Sequence, residues 1–194
     1  PHARVIGAPI AGFYFFADPY TGPNHTSSGL ADFREPAWPQ HAALWDSFVD
    51  ADCAAAHPTW FCVLANNSYP YITSEVFATQ SFSDQVVLQD HDWVPSSFLP
   101  REETFAYVER WSHNMSVATA PLVASNGKKG AVFGAACHIH TSFSESSPIV
   151  NGLNYYQAFA RWFSGDVTGA AANNIDHCGI FCNPTCPQPN ATST

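Results

Sequence analysis

Ala135-Ala136-Cys137-His138-Ile139-His140-Thr141-Ser142-Phe143 is the stretch whose reading decides the fold. It continues an apolar run, Ala131-Val132-Phe133-Gly134, that predicts a buried strand, and it ends in small polar residues that predict a loop. A histidine just past a buried strand stands on a rigid support beside an open loop, where side chains can reach a substrate. His140 is therefore the first candidate for chemistry, and the neighbours it needs can be sought in the remaining sequence.

Upstream, Tyr71 to Gln80, with Ile72, Val76 and Phe77, predicts a second buried strand, and polarity returns at Ser81-Phe82-Ser83-Asp84-Gln85. Asp84, like His140, sits just past a strand. Val5-Ile6-Gly7-Ala8 predicts a third strand, short, buried and parallel, followed by Gly12-Phe13-Tyr14-Phe15-Phe16. Asp18 to Pro39, rich in Pro and Gly, predicts an irregular loop whose Tyr20, Phe33 and Trp38 could line a pocket, packing onto the core being the expected role for most of them. Gln40 to Val49 places Leu44, Trp45, Phe48 and Val49 at helical spacing, with Pro39 at the helix start. Gln89 to Pro100 predicts a loop. Arg101 to Ala120 predicts a helix with Phe105, Val108, Trp111 and Met115 on one face and Glu102-Glu103 where the helix dipole favours them. After a turn at Ser125 to Gly130 comes the His140 strand, then a helix over Asn154 to Phe163 with Tyr156, Phe159, Ala160 and Phe163 inward. Strands alternating with helices predict a parallel α/β sheet. Three strands are few for such a sheet, so the chain reads as the second half of a larger domain, and its start at Pro1 as processed or truncated.

Composition narrows the function classes. Charged residues make up 12% of the 194, about half the usual share, and aromatics 14%, which argues for an ordered chain with a real core. A net charge of −9 with seven Lys plus Arg leaves no basic patch for nucleic acid or anionic lipid. The longest apolar runs are far shorter than a membrane span. Six cysteines and the sequons at Asn24, Asn66, Asn114 and Asn190 (Asn183 is followed by proline) favour a secreted or secretory-pathway protein with disulfides. Cys53 and Cys62 read as a local disulfide loop. Cys137, Cys178, Cys182 and Cys186 allow three pairings among themselves, and one could also reach a companion chain.

An acid after one strand and a histidine after a later one occur in the order of the last two members of a Ser…Asp…His triad. The carboxylate would accept from imidazole Nδ1–H and set its tautomer, while the other ring nitrogen takes the serine proton. Asp90 and Asp92 are alternative acids, and a loop cap is the plain structural role for Asp84. His138 and His140 would present one face to a metal, but no third ligand is evident. His91 and Trp93 could flank the site. There is no Gly-x-Ser-x-Gly in the chain.

Several separated segments resemble, in order, the C-terminal half of the pectin acetylesterase and Notum carboxylesterase family. They are the strand and Gly-Phe-x-Phe segment of Val5 to Phe16, Cys53…Pro58-Thr59…Cys62, Val76-Phe77…Asp84-Gln85-Val86…Leu88, and Ala136-Cys137-His138-Ile139-His140 with its Cys-x-x-His frame. Two more are the most distinctive: Pro148-Ile149-Val150-Asn151-Gly152…Phe159…Trp162-Phe163, and Cys178…Cys182-Asn183-Pro184-Thr185-Cys186-Pro187. Ile10 stands where the family usually has an acidic residue, and His138 is additional within the Cys-x-x-His frame. The resemblance implies an α/β-hydrolase-like, mostly parallel sheet with flanking helices, of which residues 1–194 form the C-terminal part. It implies a secreted serine carboxylester hydrolase, deacetylating an acetylated polysaccharide, with Asp84 and His140 catalytic, no cofactor, and a companion N-terminal polypeptide of the same precursor supplying the serine. The rival is a non-catalytic extracellular module that keeps the fold for binding or assembly.

Overall fold

The structure, a computed structural model, describes residues 3–27, 32–95, 102–125, 127 and 129–187. The Asn190 sequon, Pro1 and the end of the Gln89–Pro100 loop lie outside them. Four parallel strands form one sheet in the order β1 (Ile6–Gly7), β2 (Glu75–Ser81), β3 (Gly130–Ala135), β4 (Asn174–Ile175). The long central pair carries the sheet, in register from Val76 opposite Gly130 to Ser81 opposite Ala135. Sequence counting finds three strands because β4 has only two residues, Asn174 and Ile175, too few for an apolar pattern to show. β1 is equally short and only half-buried, with Val5 beside it exposed. It is held by Arg4, which forks onto the Glu75 carboxylate at 2.7 and 3.0 Å and donates to the Phe163 carbonyl.

Helices cover both faces. On one side α4 (Glu102–Ala124) lays Val108, Trp111, Met115 and Leu122 against Val76, Ala78 and Val132. On the other α5 (Tyr155–Ser164) packs Ala158 and Trp162 against Phe77, Ala131 and Phe133. Alternation along each central strand produces this split, since successive side chains point to opposite faces. Asn154 and Gln157 close a capping box at the start of α5, and Gly165 ends it in the left-handed region at φ 78°.

The inward face of α5 runs through Ala158 and Trp162, while Tyr156 and Phe163 are about half exposed, so the predicted face is rotated. In α4, Tyr107 is buried and Phe105 is not. α1 (Trp38–Trp45) buries Trp38 and Ala42 and leaves Leu44 exposed. It stops at Asp46, whose left-handed backbone (φ 46°) turns Phe48 out of the helix and into solvent. Tyr20, Phe33 and Trp38 are buried. The short helix α2 (Ala51–Ala56) carries Cys53 of the Cys53–Cys62 disulfide, and α3 (Ala65–Ser68) follows Cys62. The other bonds are Cys137–Cys186 and Cys178–Cys182, so no cysteine is left to reach another chain.

Asp92 lies buried beneath α4, where its carboxyl accepts from Trp111 Nε1 at 2.7 Å. Burial pushes its pKa up to about 8, against the lowering effect of the Trp111 bond. An acid whose folded pKa is raised binds its proton more tightly folded than unfolded. Its contribution to stability therefore falls as pH climbs from the ordinary carboxylate range to about 8, and is level above that. Asp92→Asn keeps an acceptor for Trp111 without the charge. Thermal unfolding between pH 4 and 9 should show the variant more stable than wild type at pH 7 by on the order of a few kcal/mol, with a flatter pH dependence.

Candidate active site

The site is built where β2 and β3 end level with one another. Four hydrogen bonds zip the end of β2 and the chain beyond it to the end of β3 and the chain beyond it. Phe82 N donates to the Ala135 carbonyl at 2.9 Å, Gln85 N to Ile139 O at 3.2 Å, and His138 Nδ1 to Ser83 O at 3.1 Å. The Ser81 hydroxyl donates to the Cys137 carbonyl. Gly134 permits this closeness, because a Cβ there would meet the Phe82 ring at 2.6 Å.

Two side chains from these segments meet. His140 Nδ1 lies 3.0 Å from both Asp84 Oδ1 and Asp84 Oδ2. Asp84 is fully buried, whereas 27% of the His140 side chain is exposed, so the pair has a sheltered acid and an accessible imidazole. Asp84 Oδ1 also accepts from Val87 N at 3.1 Å, which caps the helical turns that begin at Gln85, and Oδ2 accepts from Gln80 Nε2 at 3.0 Å. Capping and pairing with His140 are thus simultaneous roles of one carboxylate. The Asp84 hydrogen bond raises the His140 pKa; partial burial opposes it, and the charges of Asp84 and, more weakly, Asp90 add to it. A raised imidazole pKa means that this contact supports the fold most fully below the ordinary imidazole value and fades as pH rises through the raised one.

His138 behaves differently. Its Nδ1 donates to Ser83 O and its Nε2 accepts from Gln89 Nε2 at 3.1 Å, the pattern of a neutral ring. Burial lowers its pKa. With both nitrogens engaged, it offers no lone pair to an ion shared with His140. Among the described residues no group of three His, Cys, Asp or Glu side chains is arranged to hold a metal. Of the alternative acids, Asp92 is committed to Trp111, and Asp90 acts on His140 through its charge. His91 stacks on Phe33 at 4.1 Å, and Trp93 lies under the Arg34 guanidinium.

Three contributors escape sequence reasoning. Gln80 is a buried polar residue inside an apolar strand, and that mismatch was its only signal. Tyr14 packs its ring 5.3 Å from Phe33, and burial, then the Asp84 charge, push its phenol pKa up. Asp176, just past β4, accepts from Ala136 N at 2.9 Å and from Asn183 Nδ2 at 2.8 Å, docking the C-terminal tail against the His140 loop.

A family model of pectinacetylesterases matches residues 1–187. The chain belongs to the pectinacetylesterase family. No curated protein sequence gives a significant match. Among solved structures it is similar to the Wnt deacylase Notum from Drosophila, at 19% identity and a TM-score of 0.73, over 95% of this chain and 49% of that one. That likeness shows the α/β-hydrolase fold, and the chain spans about half the length of this relative. In this pectinacetylesterase chain the aspartate and histidine of the sheltered pair come from the ends of adjacent parallel strands.

Proposed function

We propose that this chain forms part of a serine carboxylester hydrolase acting on acetylated polysaccharide, with Asp84 and His140 as two members of its triad. The observation that carries the reading is the two-oxygen contact of the buried Asp84 carboxylate with His140 Nδ1, at 3.0 Å each. Held there, the imidazole keeps its proton on Nδ1 and presents Nε2 as the base. Nε2 would take the proton of a serine hydroxyl attacking the ester carbonyl, then return it to the leaving alcohol. Asp84 would stabilise the imidazolium between these steps.

The serine would come from a companion polypeptide of the same precursor, preceding this segment. In support, among the described residues β1 pairs only with β2, and the chain spans about half of the similar solved structure. Family membership supports an acetyl ester on a glycan as substrate. Three disulfides and the sequons support a secretory route, and no helix among the described residues is long and apolar enough to cross a membrane. Asn24 and Asn114 are exposed, while Asn66 has its carboxamide oxygen shielded from solvent, so the first two are the better glycan acceptors.

The test is hydrolysis of p-nitrophenyl acetate and of acetylated pectin by the complete two-part protein. Acetate release from both is the expected result. No release from any ester, in a preparation shown to be folded, would mean that the pair is a relic in a binding or assembly module.

A further inference from the structure

We propose that Gln80 is a positioning residue for the triad, clamping Asp84 in the orientation that His140 needs. The inference rests on the reading of Asp84 and His140 as triad members and adds a residue that acts through them. Gln80 is fully buried in β2, where a carboxamide is costly unless its hydrogen bonds are made. They are made, and each has a definite direction. Its Oε1 accepts from Phe13 N at 3.1 Å, and its Nε2 donates to Asp84 Oδ2 at 3.0 Å and to its neighbour's carbonyl, Ser81 O, at 3.3 Å. The amide cannot be turned round, because the Phe13 N–H can only donate and the carbonyl and carboxylate facing Nε2 can only accept.

The consequence is geometric. Each oxygen of Asp84 has one donor besides His140: Val87 N on Oδ1 and Gln80 Nε2 on Oδ2. With a donor on either side, the carboxylate plane is held so that His140 Nδ1 is equidistant from both oxygens. Without Gln80, only Val87 holds the carboxylate, which can swing about Cβ–Cγ and lose the symmetric approach. The same amide ties the Phe13–Tyr14 segment after β1 to the acid, so one side chain links the segments that follow β1 and β2. A leucine would fill the space but supply neither bond. The charged and titratable groups acting on His140 itself are Asp84 and Asp90, with His138 two residues away.

The experiment compares Gln80→Leu and Gln80→Glu with wild type in the complete protein. It uses the pH profile of kcat/KM and the NMR titration of the imidazole resonance that disappears in His140→Asn. In Gln80→Leu we expect kcat to fall on the order of 10–100-fold with KM little changed, as for a misplaced catalytic group. The acid limb and the His140 titration should move together to lower pH, as the imidazole loses its held partner. Gln80→Glu keeps the acceptor for Phe13 and, while protonated, donates to Asp84. Relative to wild type at the same pH, it should retain activity while the new carboxyl is protonated and lose it as that carboxyl ionises, and it serves as the test if Gln80→Leu does not fold. An unmoved His140 titration in a folded Gln80→Leu, or pH-independent activity in Gln80→Glu relative to wild type, would overturn the proposal. Should the wild-type protein hydrolyse no ester, the ester reading fails, and the His140 titration alone still decides whether Gln80 holds Asp84.

Discussion

Replacing His140 with alanine in the complete protein is expected to lower kcat for p-nitrophenyl acetate by several orders of magnitude. The imidazole is the group placed to carry the serine proton, and the neighbouring ring cannot take over, because His138 is bonded through both nitrogens. Asp84→Asn should cost on the order of 10⁴ in kcat. An asparagine amide facing Nδ1 as donor would oblige that nitrogen to accept, which moves the ring proton to Nε2 and removes the base. Because the carboxylate raises the His140 pKa, the acid limb of any residual activity should also shift to lower pH. The double variant should be little worse than His140→Ala alone, since the members act as a unit. His138→Ala should leave most of the activity. If instead His138→Ala removes activity and His140→Ala does not, the assignment across Cys137 is wrong.

Removing the Cys137–Cys186 bond, with alanine at both positions, should be the most destabilising of the disulfide deletions. The sulfurs join residues 49 apart, against 9 for Cys53–Cys62 and 4 for Cys178–Cys182. Loop-closure entropy then gives about 4 kcal/mol for the first, roughly 2–3 for the second and about 2 for the third. The first also has a local consequence. Cys137 is buried immediately before His138, and the tail it anchors supplies Asn183 to Asp176, which in turn holds Ala136 N. Its loss should release the His140 loop as well as the tail, so activity should fall at temperatures where the protein remains folded. Urea denaturation of the three double variants, with ester hydrolysis measured beside it, checks both statements. A Cys137/Cys186 variant no less stable than the Cys178/Cys182 one would contradict the entropic account.

Much of the architecture is legible in the order of residues alone. The runs around Val76-Phe77 and Ala131-Val132-Phe133 are apolar on both sides of the backbone, which only a strand covered on both faces requires, and both become central strands with helices above and below. The same runs show where polarity resumes, and so mark Asp84 and His140 as post-strand residues. The segments that resemble the pectin acetylesterase family are legible in the residues themselves, because their motifs are local in sequence. Helix faces were less legible. In α1 and α5 aromatic residues occur on several sides, so the spacing of apolar residues did not single out the buried stripe, and packing against the sheet selected Ala158 and Trp162 in α5.

What the tertiary structure alone decided is partnership at a distance. Strand β4 exists because Asn174 and Ile175 lie along the edge of β3, not because two residues carry a strand signal. Cys137 takes Cys186, and not a nearer cysteine in the tail, because docking Asp176 and Asn183 brings that end of the tail beneath the His140 loop. The choice of Asp84 over Asp90 and Asp92 has the same origin. All three follow β2 before α4 begins, but Asp84 is on the segment hydrogen-bonded to the chain after β3, while Asp92 is carried under α4 to Trp111. Local composition marks which residues can do chemistry, but contacts between them span dozens of positions and arise only when the sheet closes.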